Sequence, residues 1–155
     1  MTALNAHLPA LVFIAGAGQL ALIAVSLAIP RVLRWREDTA KLRPLTRQVF
    51  WTYAAYIWST NLAFGLVSLR PAWLLDHSPL AACVTGFITA YWVGRVLIQF
   101  FYFDRSDAPP GRHVRLAEAA LIGLFIYLSL VYGAALLHNL EVFGLEVFGL
   151  EVLGS

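Results

Sequence analysis

Four long apolar runs, separated by short polar segments, set the pattern of the chain. A membrane-spanning helix needs about 20 mostly apolar residues, and four stretches meet that length: Leu8 to Leu33, Gln48 to Leu69, Pro79 to Phe103 and Val114 to His138. The expected fold is all-α, an antiparallel bundle of four transmembrane helices occupying residues 1–139 as one domain. Residues 140–155 form a separate low-complexity tail, LEVFG, LEVFG and LEVLG before Ser155. A five-residue repeat turns about 140° per unit on an α-helix and builds no continuous face. The tail therefore reads as a duplication, an expression remnant or an outer-surface flap, and carries no chemistry.

Composition agrees with a membrane chain. Of 155 residues, 60% are hydrophobic and 13% charged, and the mean hydropathy is +0.73, too apolar for an ordinary soluble domain. The N-terminus lacks the basic region of a secretory signal, so the first run reads as a retained span. Charge distribution then suggests an orientation. Six basic residues (Arg31, Arg34, Arg36, Lys41, Arg43, Arg47) lie between the first two runs, and Arg105, Arg112 and Arg115 lie between the last two. The opposite side holds only Arg70. Positive-inside bias puts both basic loops in the cytoplasm and both termini outside, with a bacterial inner membrane as the expected location. The first basic loop, with Trp35 at its boundary, is expected to meet lipid headgroups.

Within the first run Gln19 is the one strongly polar group, small residues such as Gly16 and Gly18 allow close helix approach, and Pro30 ends or kinks the helix. The second run is the most polar. Ala55, Ser59 and Ala63 share a face there, and Asn61 lies near mid-span, where an unpaired amide is costly and a bond to another helix is expected. The fourth run has a small-residue step at Ala119 and Gly123, and Tyr132 falls toward the outer interface.

The third run holds the only charge placed well inside the membrane, Arg95. Ala82, Gly86, Ala90 and Gly94 recur every four residues, a ladder along which another helix can pack. Beside it runs a stripe of Thr85, Ile88, Trp92, Arg95, Gln99 and Tyr102. Side chains lean toward a helix N-terminus, so Arg95 is expected to lean toward the midplane. An unpaired arginine at depth costs at least about 2.5 kcal/mol, so partners are required. Gln99, one turn along, and Glu118 of the fourth run are the candidates, with Thr52, Tyr53 or Gln48 at similar depth and Trp92 as a cation–π surface. Arg95, Gln99, Glu118, Trp92, Tyr53 and Asn61 thus make up the candidate polar cluster, either a structural link between helices or an anchor for an anionic headgroup, carboxylate or quinone-like carbonyl.

Two weaker constellations remain. His7, His77, His138 and Asp76 fall on the outer side with Cys83 nearby, a donor set that suits zinc or copper, although ordinary interfacial histidines explain it better. Asp104 and Asp107 with His113 suggest magnesium or general-base chemistry, although a capped helix end and a Pro-Pro-Gly turn explain these residues better, without chemistry. Cys83 is the single cysteine, which excludes an intramolecular disulfide. No basic block interleaved with exposed aromatics points to nucleic acid, and no phosphate loop or nucleophile elbow occurs. No catalytic residue and no cofactor is specified. The expected function is that of a non-catalytic subunit or scaffold in a membrane assembly, in contact with lipids and with its own copies or a partner membrane protein. The alternatives are a small homo-oligomeric transporter or channel and a lipid- or quinone-binding protein.

Overall fold

A computed structural model describes the backbone of residues 3–103 and 111–153 and the side chains of 5–103 and 111–141. The described residues form helices and turns, with no strand. The helices are α1 (Ala3–Ser26), α2 (Ile29–Val32), α3 (Trp35–Ala40), α4 (Pro44–Ser68), α5 (Pro79–Phe101) and α6 (Arg112–Leu153), with a 3₁₀ turn at Pro71–Trp73. Three helical stretches among them are long and apolar enough to cross a membrane: Asn5–Val32, Pro79–Phe101 and Arg112–Glu141. The fourth expected span, now α4, has the length, at 25 residues. Its hydroxyl and amide side chains make it too polar to count with the other three.

The break after α1 sits where Pro30 requires it. Helix α1 stops at Ser26 and α2 begins at Ile29 with Pro30 in its first turn, where the missing N–H costs no intrahelical bond. Arg34 then adopts the left-handed region (φ 50°) and redirects the chain into α3. Trp35 lies edge-on to Phe50 and Trp51, fastening α3 to the start of α4.

Contacts run along two helix pairs, α1 with α4 and α5 with α6, and α1 against α6 joins the pairs. In the first pair the backbones approach closely at two glycines. A Cβ on Gly16 would lie 2.9 Å from the Ser68 Cβ and 3.0 Å from the Gly65 carbonyl oxygen, and a Cβ on Gly65 would lie 2.8 Å from a Leu20 methyl. Between helices in lipid, where hydrophobicity gives no net drive, such close backbone approach supplies van der Waals attraction.

The ladder on α5 behaves otherwise. Gly86 packs near Leu136, but Ala90 is exposed and nothing among the described residues lies within 4 Å of a Cβ on Gly94. The buried face of α5 is instead Ala81, Thr85, Ile88 and Trp92. Large side chains on that stripe fill the space between helices, whereas a ladder of small residues buries area only where a partner backbone comes close. Ala55, Ser59 and Ala63 on α4 are likewise exposed, as the inward face of that helix is Ala54, Asn61, Phe64, Gly65 and Ser68. On α6 the step at Ala119 and Gly123 also has no close neighbour at Gly123 among the described residues.

The turn between α4 and α5 is fastened by Asn139 of α6, which is fully buried. Its side-chain amide donates to the Leu74 carbonyl at 2.9 Å and its carbonyl accepts from the His77 backbone N–H at 3.2 Å. His77 has φ 62°, a left-handed conformation for a non-glycine residue that these bonds help to hold. Ser78 then caps α5, its hydroxyl accepting from the Ala81 N–H at 3.0 Å. Helix α6 itself runs past His138 without interruption into the pentad repeats, as far as Leu153.

Candidate functional site

The segment of α5 that carries Arg95 faces α6 at its level. The Arg95 guanidinium donates to the Gln99 side-chain carbonyl at 3.1 Å, and the Gln99 amide donates to Glu118 Oε1 at 3.4 Å. Gln99 therefore carries the link from Arg95 to Glu118. The guanidinium also lies over two rings, Phe125 at 4.8 Å and Phe103 at 5.0 Å from the ring centres.

Two expectations change here. Arg95 reaches along α5 toward Gln99 and Phe103, at the C-terminal end of its helix, and not toward the helix N-terminus. A hydrogen bond one turn ahead and two aromatic faces outweigh the general lean of helical side chains. Trp92, expected to take the cation–π contact, stands one layer back: it is 1% exposed and stacks on Phe125 at 5.4 Å with 27° between the rings.

From Trp92 the contacts continue. Tyr91 meets Trp92 edge-on at 5.3 Å, and its hydroxyl accepts from the Asn61 amide at 3.0 Å. Asn61 also donates to the Ile57 carbonyl at 2.9 Å, so the mid-span amide of α4 does bond to another helix. Glu118, Gln99, Arg95, Phe125, Trp92, Tyr91 and Asn61 thus form one connected path through α6, α5 and α4. Tyr53 is not on it. It is 63% exposed and sits with Gln48, Val49 and Thr52 around a shallow recess on the outer surface of α4. It immediately precedes buried Ala54, and the 100° step between neighbours turns it out of the bundle.

A second polar centre lies in the interior. The Gln19 amide donates to the Tyr132 hydroxyl, the Tyr132 hydroxyl meets Ser68 Oγ at 2.6 Å, and Ser68 Oγ donates to the Phe64 carbonyl at 2.7 Å. With the Ser68 proton committed to Phe64, Tyr132 must donate to Ser68, which gives a directed chain across α1, α6 and α4. Gln19, Ser68 and Tyr132 are each 0% exposed. Tyr132 is therefore a core residue of the bundle. The signal in the sequence was Gln19 itself, since a lone amide in an apolar span requires a partner from another helix.

At the end of the bundle that carries the turn between α4 and α5, the rings of His77 and His138 lie 4.5 Å apart, while His7 and Cys83 are exposed. Among the described residues no three His, Cys, Asp or Glu side chains come together as a metal site. Asp76 accepts from both the Ser78 hydroxyl at 2.7 Å and the Ser78 N–H at 3.0 Å. These two bonds hold its carboxyl below the usual carboxylate range. Asp104 and Asp107 lie outside the described residues, and His113 lies in the first turn of α6.

Chemically, the Arg95 path positions and neutralises a charge, with its cation already engaged by an amide and two rings. Compared with known proteins, the chain matches no family model, and no curated protein or solved structure matches it either.

Proposed function

We propose that this chain is a non-catalytic subunit or scaffold of a membrane assembly, with α4 as a fourth span. The supporting observation is which way α4 turns its polar residues. Its outward face carries Thr52, Tyr53, Tyr56 and Ser59 together with the small residues Ala55 and Ala63, all exposed. Against lipid such a face is poor, and against another helix its small residues allow close approach while its hydroxyls find partners. The polarity that keeps α4 from resembling a lipid-facing span is thus concentrated on the side that a second membrane helix would cover. The interior polar groups, in contrast, are spent on linking this chain's own helices.

The same reading places both basic loops in the cytoplasm and both termini outside, in a bacterial inner membrane. Ala40 and Ala72 are exposed and flank α4. In a Cys83→Ser background, Ala72→Cys should react with an impermeant maleimide from outside intact cells, and Ala40→Cys only after permeabilisation. Labelling of both from one side removes α4 as a span.

Assembly is tested by native mass spectrometry after gentle detergent extraction. The wild-type chain should carry a second membrane chain, whether a copy of itself or a partner, and Ser59→Leu with Ala63→Leu should release a folded monomer. A wild-type chain that is monomeric under the mildest extraction sinks the assembly reading.

A further inference from the structure

Where α1 gives way to α2, a groove of about 580 Å³ opens between that corner, α3 and α4. One part is apolar: Leu27 and Pro30 face Trp51 and Trp58, which are seven residues apart and so share a face of α4. The other part is cationic, lined by Arg31, Arg34 and Arg36. On one straight helix Arg36 would point about 140° away from Arg31. The left-handed turn at Arg34 brings all three to one space. Glu37 also lines the groove and lies 3.9 Å from Arg34, whereas no carboxylate among the described residues pairs with Arg31 or Arg36.

The groove thus changes from apolar to cationic at the depth where the candidate span Asn5–Val32 ends. That sequence of surfaces matches a lipid, with tryptophan at interface depth and guanidinium forks that fit phosphate oxygens. We infer that the groove holds the phosphate of one anionic membrane lipid between Arg31 and Arg36, with an acyl chain along Leu27 and Trp58. Three arginines against one glutamate select a headgroup of net negative charge over a zwitterionic one. The inference shares with the proposed function only the premise that the chain lies in a bilayer. Lipid retention and subunit association are separate readouts, so either can fail without the other.

The test uses the full chain in nanodiscs of phosphatidylcholine doped with phosphatidylglycerol, with bound lipid counted by native mass spectrometry. Wild type should retain one phosphatidylglycerol in preference to phosphatidylcholine. Arg31→Gln and Arg36→Gln should each weaken that retention about fivefold, and Arg43→Gln with Arg47→Gln, outside the groove, should weaken it less than the groove pair does. Arg34→Gly removes a groove cation at a backbone angle glycine tolerates, so it should lower retention while leaving the melting temperature unchanged or higher. Equal losses from the two arginine pairs, or a preference for phosphatidylcholine, overturn the groove. Displacement of the lipid by equimolar glycerol phosphate overturns the lipid source in favour of a soluble phosphate compound.

Discussion

Single atoms decide how α1 and α4 meet. At Gly16 a methyl group would press on backbone and on Ser68, with no flexible side-chain end to give way. Gly16→Ala should therefore force the helices apart and cost about 1–3 kcal/mol. Gly94→Ala, where no described residue lies within 4 Å, should be neutral or stabilise by up to about 1 kcal/mol through helix propensity. Denaturation in mixed detergent micelles compares the two directly, and equal effects contradict the geometry. At Tyr132 the expected loss is a hydroxyl that both donates and accepts. Tyr132→Phe strands the Gln19 amide and should cost about 1–3 kcal/mol. A double-mutant cycle with Ser68→Ala should return a coupling of about 0.6–1.7 kcal/mol, the range for interhelical bonds in membranes. For Arg95→Leu, lower thermal stability in detergent is expected, because Gln99 loses its donor and Phe103 and Phe125 lose the cation between them. Gln99→Leu should lower stability in the same way. Unchanged melting for both variants would remove the structural role of the cluster.

At the scale of elements, the turn between α4 and α5 concentrates the most specific bonds. Asn139→Leu removes the donor to Leu74 and the acceptor for His77 while keeping the branched four-atom outline of the side chain, and hydrogen exchange of the 74–78 backbone should rise sharply. The Asp76 cap adds a pH dependence. Its folded carboxyl is depressed below the unfolded value of about 4, so its stabilisation is fully present above that value and lost as pH falls through the folded one. Asp76→Asn should melt below wild type at pH 7, and the gap should narrow as pH falls below the unfolded carboxylate value. A gap that stays constant across the whole acid range assigns the effect to something other than the carboxylate. Helix breaks follow local chemistry closely: Pro30 marks the start of α2 and Pro79 the start of α5. The left-handed residues Arg34 and His77 carry no such mark, because their conformations are imposed by packing on either side.

For the whole molecule, the runs of apolar residues were enough to locate the long helices and their all-α class, since a 20-residue apolar segment has few ways to satisfy its backbone other than helix. The need of Gln19, Asn61 and Arg95 for partners was equally legible, as an isolated polar group in an apolar segment is costly wherever it points. Which partners they took was not. Rotation of each helix about its axis turned Ala55, Ser59, Ala63 and Tyr53 outward, passed over most of the α5 ladder, drew Tyr132 into the core and set Gln99 between Arg95 and Glu118. Small residues permit close packing on any face they occupy, but only the summed fit of all the large side chains selects the face that is used. Tertiary packing alone also gathered Arg31, Arg34 and Arg36 around one groove, because a left-handed corner and a broken helix override the angular spacing that the sequence implies.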